Sequence, residues 1–172
     1  MILKTDRLIL REYKETDFDD LYKIISDKET MKHYPKPYDE KGTKRWIDWS
    51  IENYQKHGFG WWAIELLKNN EFIGDCGITI QNIDGNLLPE IGYHINKLYW
   101  NNGYAKEAAK HVRDWFFTNT NYENLYSYTT IDNIYSSKTA LSIGMKKIKE
   151  FKEENILYVV YELNRKDWQN LH

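Results

Sequence analysis

The run Pro89-Glu90-Ile91-Gly92-Tyr93-His94-Ile95, followed by Asn96-Lys97-Leu98-Tyr99-Trp100-Asn101-Asn102-Gly103-Tyr104-Ala105-Lys106-Glu107-Ala108, holds the groups best able to do chemistry. Its first part alternates as a strand. Its last part opens a helix at a turn where Gly103 and Ala105 carry little or no side chain. The first amides of a helix have no partner inside it, and the aligned peptide dipoles leave partial positive charge there, so such a turn receives a phosphate group. An ordinary strand-to-helix connection shows the same pattern, and no Gly-Lys-Ser/Thr of a P-loop follows. Period-two alternation sets Glu90, Gly92 and His94 on one strand face and Ile91, Tyr93 and Ile95 on the other. A carboxyl with an unperturbed pKa of about 4.3 and an imidazole near about 6.5 therefore share a face.

The elements that must position these groups come from the rest of the chain. Its 172 residues, at 20.8 kDa, predict one domain over residues 1–172 with a core large enough to need no disulfide or structural metal. The one cysteine, Cys76, leaves no disulfide framework within the chain and favours a reducing compartment. A net charge of −2 gives no basic footprint for nucleic acid. The N-terminal residues lack a signal peptide's apolar stretch, and no apolar run reaches the roughly 20 residues of a membrane span. A cytoplasmic protein without membrane or nucleic-acid partners is expected.

Along the chain, Arg7–Glu12 alternates as a strand, and Thr16-Asp17 offers an N-cap to a helical pattern at Phe18, Leu21, Ile24 and Ile25. Prolines 35 and 37 break the next segment into a loop. Trp46, Ile47, Ile51 and Tyr54 share one helical face. Three short runs, at 61–67, 72–80 and 88–95, are separated by turn chemistry and read as an antiparallel meander. The stripe Ala105, Ala108, Ala109, Val112 and Phe116 predicts a helix lying close on a sheet. A strand at 125–131, a helix at 135–143, another possible strand at 146–151 and a closing strand at 156–163 complete an α+β order.

Trp100-Asn101-Asn102-Gly103-Tyr104-Ala105-Lys106-Glu107-Ala108 resembles the acetyl-CoA pyrophosphate loop of the GNAT superfamily of N-acetyltransferases, in particular the RimJ/RimL-like branch that acetylates ribosomal-protein N-termini. Thr5-Asp6-Arg7-Leu8-Ile9-Leu10-Arg11 is similar to that branch's opening strand, and Phe72-Ile73-Gly74 with Cys76-Gly77 to its third strand. Glu90-Ile91-Gly92-Tyr93 is similar to its fourth strand, and Asp132-Asn133 with Ser136, Ala140 and Gly144-Met145 to its last helix. Trp100 departs from the Gln or Arg that the wider superfamily places three residues before the loop glycine; the ribosomal branch tolerates it. The resemblance implies the GNAT fold, a mixed and mostly antiparallel sheet of six to seven strands with about four helices. It also implies transfer of an acetyl group from acetyl-CoA to a primary amine, with no metal.

Carried onto this sequence, the resemblance makes Glu90 the candidate base, with His94 its rival, and Ser136 the group that assists the leaving thiolate, with Tyr135 as a fallback. The cofactor-binding set it implies is Tyr93, His94, Ile95, Trp100, Asn101, Asn102, Gly103, Tyr104, Ala105, Asn133 and Ser136. Asn133 and Ser136 also read as no more than a helix cap. Tyr34, Tyr38, Trp46 and Trp62, with Trp49 beside them, are the acceptor-site candidates, although aromatics at helical spacing also make a core. The acceptor is a peptide N-terminus or a small-molecule amine, and the chain a monomer or homodimer. A noncatalytic acyl-CoA-binding protein of this fold is the alternative. A carbohydrate-binding β-domain, suggested by seven Trp and fourteen Tyr, fits poorly with the helix after Gly103.

Overall fold

Each alternating run of the sequence becomes a strand of one mixed sheet in the computed structural model, which describes residues 1–171; the last residue of the expected 1–172 domain lies outside the described residues. The elements run β1 (Leu3–Lys4), β2 (Leu8–Glu12), α1 (Phe18–Ile25), α2 (Glu40–His57), β3 (Trp61–Leu66), β4 (Phe72–Ile83), β5 (Asn86–Ile95), α3 (Tyr104–Asn119), β6 (Asn124–Thr130), α4 (Ile134–Ser142), β7 (Lys146–Glu153), β8 (Ile156–Asn164) and α5 (Arg165–Gln169). Sheet order is β1-β2-β3-β4-β5-β6-β8-β7, so eight strands stand where six to seven were expected. The added strand is β1, whose two residues pair Leu3 with Leu10 and are too short to show any period. α5 exceeds the expected four helices; its five residues are held by the Asn164 side chain, which accepts from the Asp167 amide.

Every neighbouring pair is antiparallel except β5 and β6, which are parallel and register only at Glu90↔Tyr126. β5 stays paired with β4 from Asn86 to Ile95, and β6 with β8 from Asn124 to Thr130. The sheet therefore opens between β5 and β6 beyond Glu90. That opening faces the α3 start, which follows β5, and the α4 start, which follows β6.

Two apolar layers hold the sheet. α3 buries its small-residue stripe, Ala108, Ala109, Val112 and Phe116, with Leu8, Leu10, Trp62, Ile64, Ile78 and Ile91. α1 and α2 place Leu21, Ile24, Trp46 and Ile47 with Trp61 and Ala63 on the other face. Trp61 and Trp62 go to opposite layers because successive strand side chains alternate. One expected cap differs: Asp17 sits at the N-cap of α1 without a side-chain cap bond. Its carboxylate instead accepts from the Lys14 amide at 2.7 Å and from Arg11 at 2.8 Å, a charge-assisted pairing stronger than a neutral cap bond.

β3 and β4 approach closely where Gly77 faces Gly60 and Trp61. A Cβ on Gly77 would lie 2.0 Å from the Gly60 carbonyl oxygen and 2.6 Å from the Trp61 Cα, both backbone atoms that cannot turn aside. Gly77→Ala is expected to destabilise the fold by about 3 kcal/mol through overpacking. Urea unfolding checks this, and an unchanged midpoint contradicts the close strand approach.

Candidate active site

The opening between β5 and β6 is one wall of a cavity of about 480 Å³, lined by Glu90, Tyr93, His94, Trp100, Gly103 and Ser136 among others. Its mouth is the connection from β5 to α3. There Asn96 accepts from the Leu98 amide at 3.1 Å and starts a 3-10 turn over Lys97–Tyr99. Trp100 is half-buried, and its indole Nε1 donates to the Ile95 carbonyl at 2.7 Å. The Asn102 side chain donates to the carbonyls of Tyr99 and Trp100 at 3.0 and 2.9 Å. Asn101 and Gly103 adopt φ of 62° and 80°, the left-handed region that Gly enters without strain. The turn is thereby fixed with its backbone outward. Among the described residues, the amides of Asn101 to Lys106 find no acceptor within the protein, and Asn101, Asn102 and Gly103 are exposed. Of the expected loop residues, Asn102 does not line the cavity; its side chain is spent on the turn.

Glu90 is buried at the point where β5 and β6 part. Burial pushes its carboxyl up to about 8, opposed by a hydrogen bond from the Tyr128 backbone. No counter-cation compensates, which is the arrangement that raises a carboxylic acid toward working pH. His94 is buried on the same strand face, and its Nδ1 lies 2.7 Å from Asp75 Oδ1. Asp75 was missed in the sequence. Two signals mark it: a lone carboxylate inside the apolar run Phe72–Ile80, which needs a buried partner, and the Asp84-Gly85 hairpin turn. Counting back from that turn along the register Ile83↔Asn86 brings Asp75 opposite His94.

Across the opening, Asn133 caps α4 by accepting from the Ser136 amide at 3.2 Å. The Tyr93 hydroxyl donates to the Ser136 carbonyl at 2.8 Å and lies 3.1 Å from Ser136 Oγ. Tyr93, Asn133 and Ser136 thus meet at one wall of the cavity, and burial raises the Tyr93 hydroxyl above its ordinary value. Tyr135 is 69% exposed at the rim.

Of the acceptor-site candidates, Tyr34 reaches the cavity, with its ring 5.1 Å from that of His94. It also lines a neighbouring cavity of about 360 Å³ between Lys32–Pro35, Thr130–Asp132 and Asn155–Tyr158. The others do not line either space. Trp62 is a correction: it is 1% exposed on the opposite sheet face and packs edge-on against Trp115 at 4.8 Å, because the alternation of β3 turns it toward α3. Trp46 fills the layer between α2 and the sheet, with Tyr38 and Trp49 packed edge-on against it at 5.4 and 6.0 Å. Among the described residues no helix is long and apolar enough to cross a membrane, and no group of three or more His, Cys, Asp or Glu could hold a metal ion.

The family described as acetyltransferase (GNAT) domain matches residues 7–146. An uncharacterized protein of Bacillus subtilis, YkkB, is 32% identical over 161 residues, covering 93% of this chain and 94% of its own. The uncharacterized N-acetyltransferase YnaD of the same organism is 28% identical over 155 residues, covering 89% and 87%. The spermidine N-acetyltransferase from Vibrio cholerae, solved in complex with CoA and spermine, superposes with a TM-score of 0.79, covers 96% of this chain and 100% of its own, and at 15% identity shares the fold alone.

The Glu90 carboxyl binds its proton more tightly in the folded protein than in the unfolded chain, where it titrates near the ordinary 4.5. Folded stability is therefore fullest below about pH 4.5 on this account and is lost as pH rises through about 8. Glu90→Gln cannot ionise and is expected to be the more stable protein at pH 9 by about 2–4 kcal/mol, with little difference at pH 4. Urea unfolding at the two pH values checks this, and a difference independent of pH contradicts the burial of an ionisable Glu90.

Proposed function

The chain belongs to the GNAT acetyltransferase family and is an N-acetyltransferase, and on that premise we propose that it moves the acetyl group of acetyl-CoA directly to a primary amine within a ternary complex. The observation that carries this reading is the row of amides from Asn101 to Lys106 at the start of α3, beside the β5–β6 opening, which find no acceptor among the described residues. Those amides and the α3 dipole hold the diphosphate. Beyond Glu90 the β6-facing edge of β5 has no ladder partner, so the backbone around Tyr93 to Ile95 pairs with the amide-bearing pantetheine arm as an added strand would. The Asn133 side-chain NH₂, left over after its oxygen caps α4, reaches the same arm.

The thioester then lies in the opening between Glu90 and the Tyr93–Ser136 pair. Glu90 takes a proton from the acceptor nitrogen, directly or through one water, since an ammonium has no lone pair to attack with. Its affinity for a proton, raised by burial to about 8, suits that task better than an ordinary carboxylate. Ser136 offers its hydroxyl hydrogen to the sulfur as charge develops on it, and Tyr93, whose own hydrogen goes to the Ser136 carbonyl, holds Ser136 in place. Holding amine and thioester in reactive geometry supplies on the order of 7–11 kcal/mol of the barrier, so no covalent enzyme intermediate is called for. The acceptor, a protein N-terminal α-amine or a small-molecule amine, enters past Tyr34, which borders both cavities.

Two measurements test the reading. Acetyl-CoA at 100 times its Kd is expected to stabilise the fold by about 2.7 kcal/mol, and Gly103→Glu, which places a carboxylate at the diphosphate site, to abolish that shift. Retained affinity in the variant overturns the loop assignment. Free thiol release is expected with at least one of a panel of N-terminal peptides, spermidine and an aminoglycoside. Acetyl-CoA binding with no release above background leaves a noncatalytic acyl-CoA-binding protein instead.

A further inference from the structure

Asp75 lies in the interior of β4 with no exposed surface, and its carboxylate gathers three donors from three separate parts of the chain. The Tyr13 hydroxyl, from the loop after β2, and Trp46 Nε1, from α2, donate to Oδ2 at 2.7 and 3.0 Å. His94 Nδ1, from β5, meets Oδ1 at 2.7 Å. A carboxylate so supplied is an acceptor only, so the hydrogen it shares with His94 sits on Nδ1, and the neutral imidazole carries its lone pair on Nε2. That nitrogen is buried and has no hydrogen-bond partner in the protein. The ring is held edgewise or tilted among Tyr34, Trp61 and Trp46, at 5.1, 5.0 and 5.3 Å, so it has little freedom to turn toward another donor. An acceptor buried without a partner is destabilising until something donates to it. His94 also lines the cavity that holds Glu90, which makes the N–H of a ligand bound there the candidate partner for this nitrogen.

We propose that Asp75 is a positioning residue that holds His94 in its Nδ1–H form, so that Nε2 receives a proton from the acceptor amine. The inference rests on the amine-acetylating function proposed above. An ammonium acceptor gives up two protons on its way to an amide: one before it attacks and one as the C–N bond forms. Each leaves its bonding pair on nitrogen, the first as the lone pair that attacks the thioester carbon. The C–S bond breaks with its pair going to sulfur, one proton ends on the CoA thiol and the other in solvent. Glu90 and His94 are two acceptors for those two protons. They stand four residues apart on one strand face, about 13 Å between Cα atoms, so one of them acts through a bridging water. Asp75 steadies the imidazolium formed when Nε2 takes its proton, as a carboxylate does behind a catalytic histidine.

Nitrogen-15 NMR of the histidine-labelled wild-type protein reads the tautomer directly. The expected spectrum at neutral pH shows His94 with a protonated Nδ1 and a bare Nε2; a protonated Nε2 in the neutral ring overturns the proposal without any variant. In Asp75→Asn the amide oxygen keeps the Tyr13 and Trp46 bonds while its NH₂ donates to Nδ1, which moves the hydrogen to Nε2. The variant is expected to show that switched tautomer, an unchanged acetyl-CoA thermal shift and a kcat lowered roughly 100-fold or more, with spermidine and an alanine-initiated tetrapeptide as acceptors. A switched tautomer with unchanged kcat shows a merely structural pair and overturns the proton-accepting role. Wild-type protein with the expected tautomer but no acetyl-CoA shift overturns the parent reading instead, so the two failures are told apart.

Discussion

The parting of β5 from β6 is the constraint on which the remaining features depend. Two parallel neighbours that pair only at Glu90↔Tyr126 leave the rest of each strand without a partner on that side. Unpaired strand edges are costly inside a protein unless something completes them. Here each strand is kept straight by its other neighbour, β4 for β5 and β8 for β6, so the sheet does not close the gap by sliding. Both strands then lead into helices at the open end, α3 by way of the Asn101–Gly103 turn and α4 by way of Asn133. A strand edge, a helix N-terminus and a cap thus converge on one cavity because the chain has nowhere else to send them.

Within that frame, two buried carboxylates of adjacent strands have opposite surroundings. Asp75 is hydrogen-bonded by Tyr13 and Trp46 and paired with His94, and so ties three parts of the chain together. Glu90 has no side-chain donor of that kind, and burial lifts its proton affinity. Low dielectric penalises an unpartnered charge far more than a fully hydrogen-bonded one. In the proposed mechanism one group orients and the other exchanges a proton. Aromatic rings from α2 and β3 enclose the first pair, which is why a chain rich in Trp spends most of it on packing.

Much of this was legible in the residues. The small-residue stripe after Gly103 marked α3, turn chemistry separated β3, β4 and β5, and the proline pair marked the loop that carries Tyr34. The Trp100–Ala105 turn stood out only through its resemblance to a known loop, because a glycine at the head of a helix also marks an ordinary strand-to-helix connection. What escaped was whatever depends on pairing between distant segments. Trp61 and Trp62 are neighbours in sequence but serve opposite layers, and which one faces α2 depends on the phase of β3 against the sheet. β1 is too short to have a period. Asp75 and His94 are 19 residues apart, and they meet only through the register that the Asp84-Gly85 turn imposes on β4 and β5.

A crystal structure with CoA and a bound amine tests the central claim most directly, because it locates the sulfur relative to the strand opening. The diphosphate is expected on the amides that follow Trp100, the pantetheine arm along β5 where β6 has left it, and the sulfur between Glu90 and Ser136. CoA seated outside the opening, or a sulfur placed with β5 and β6 closed against each other, would contradict that claim.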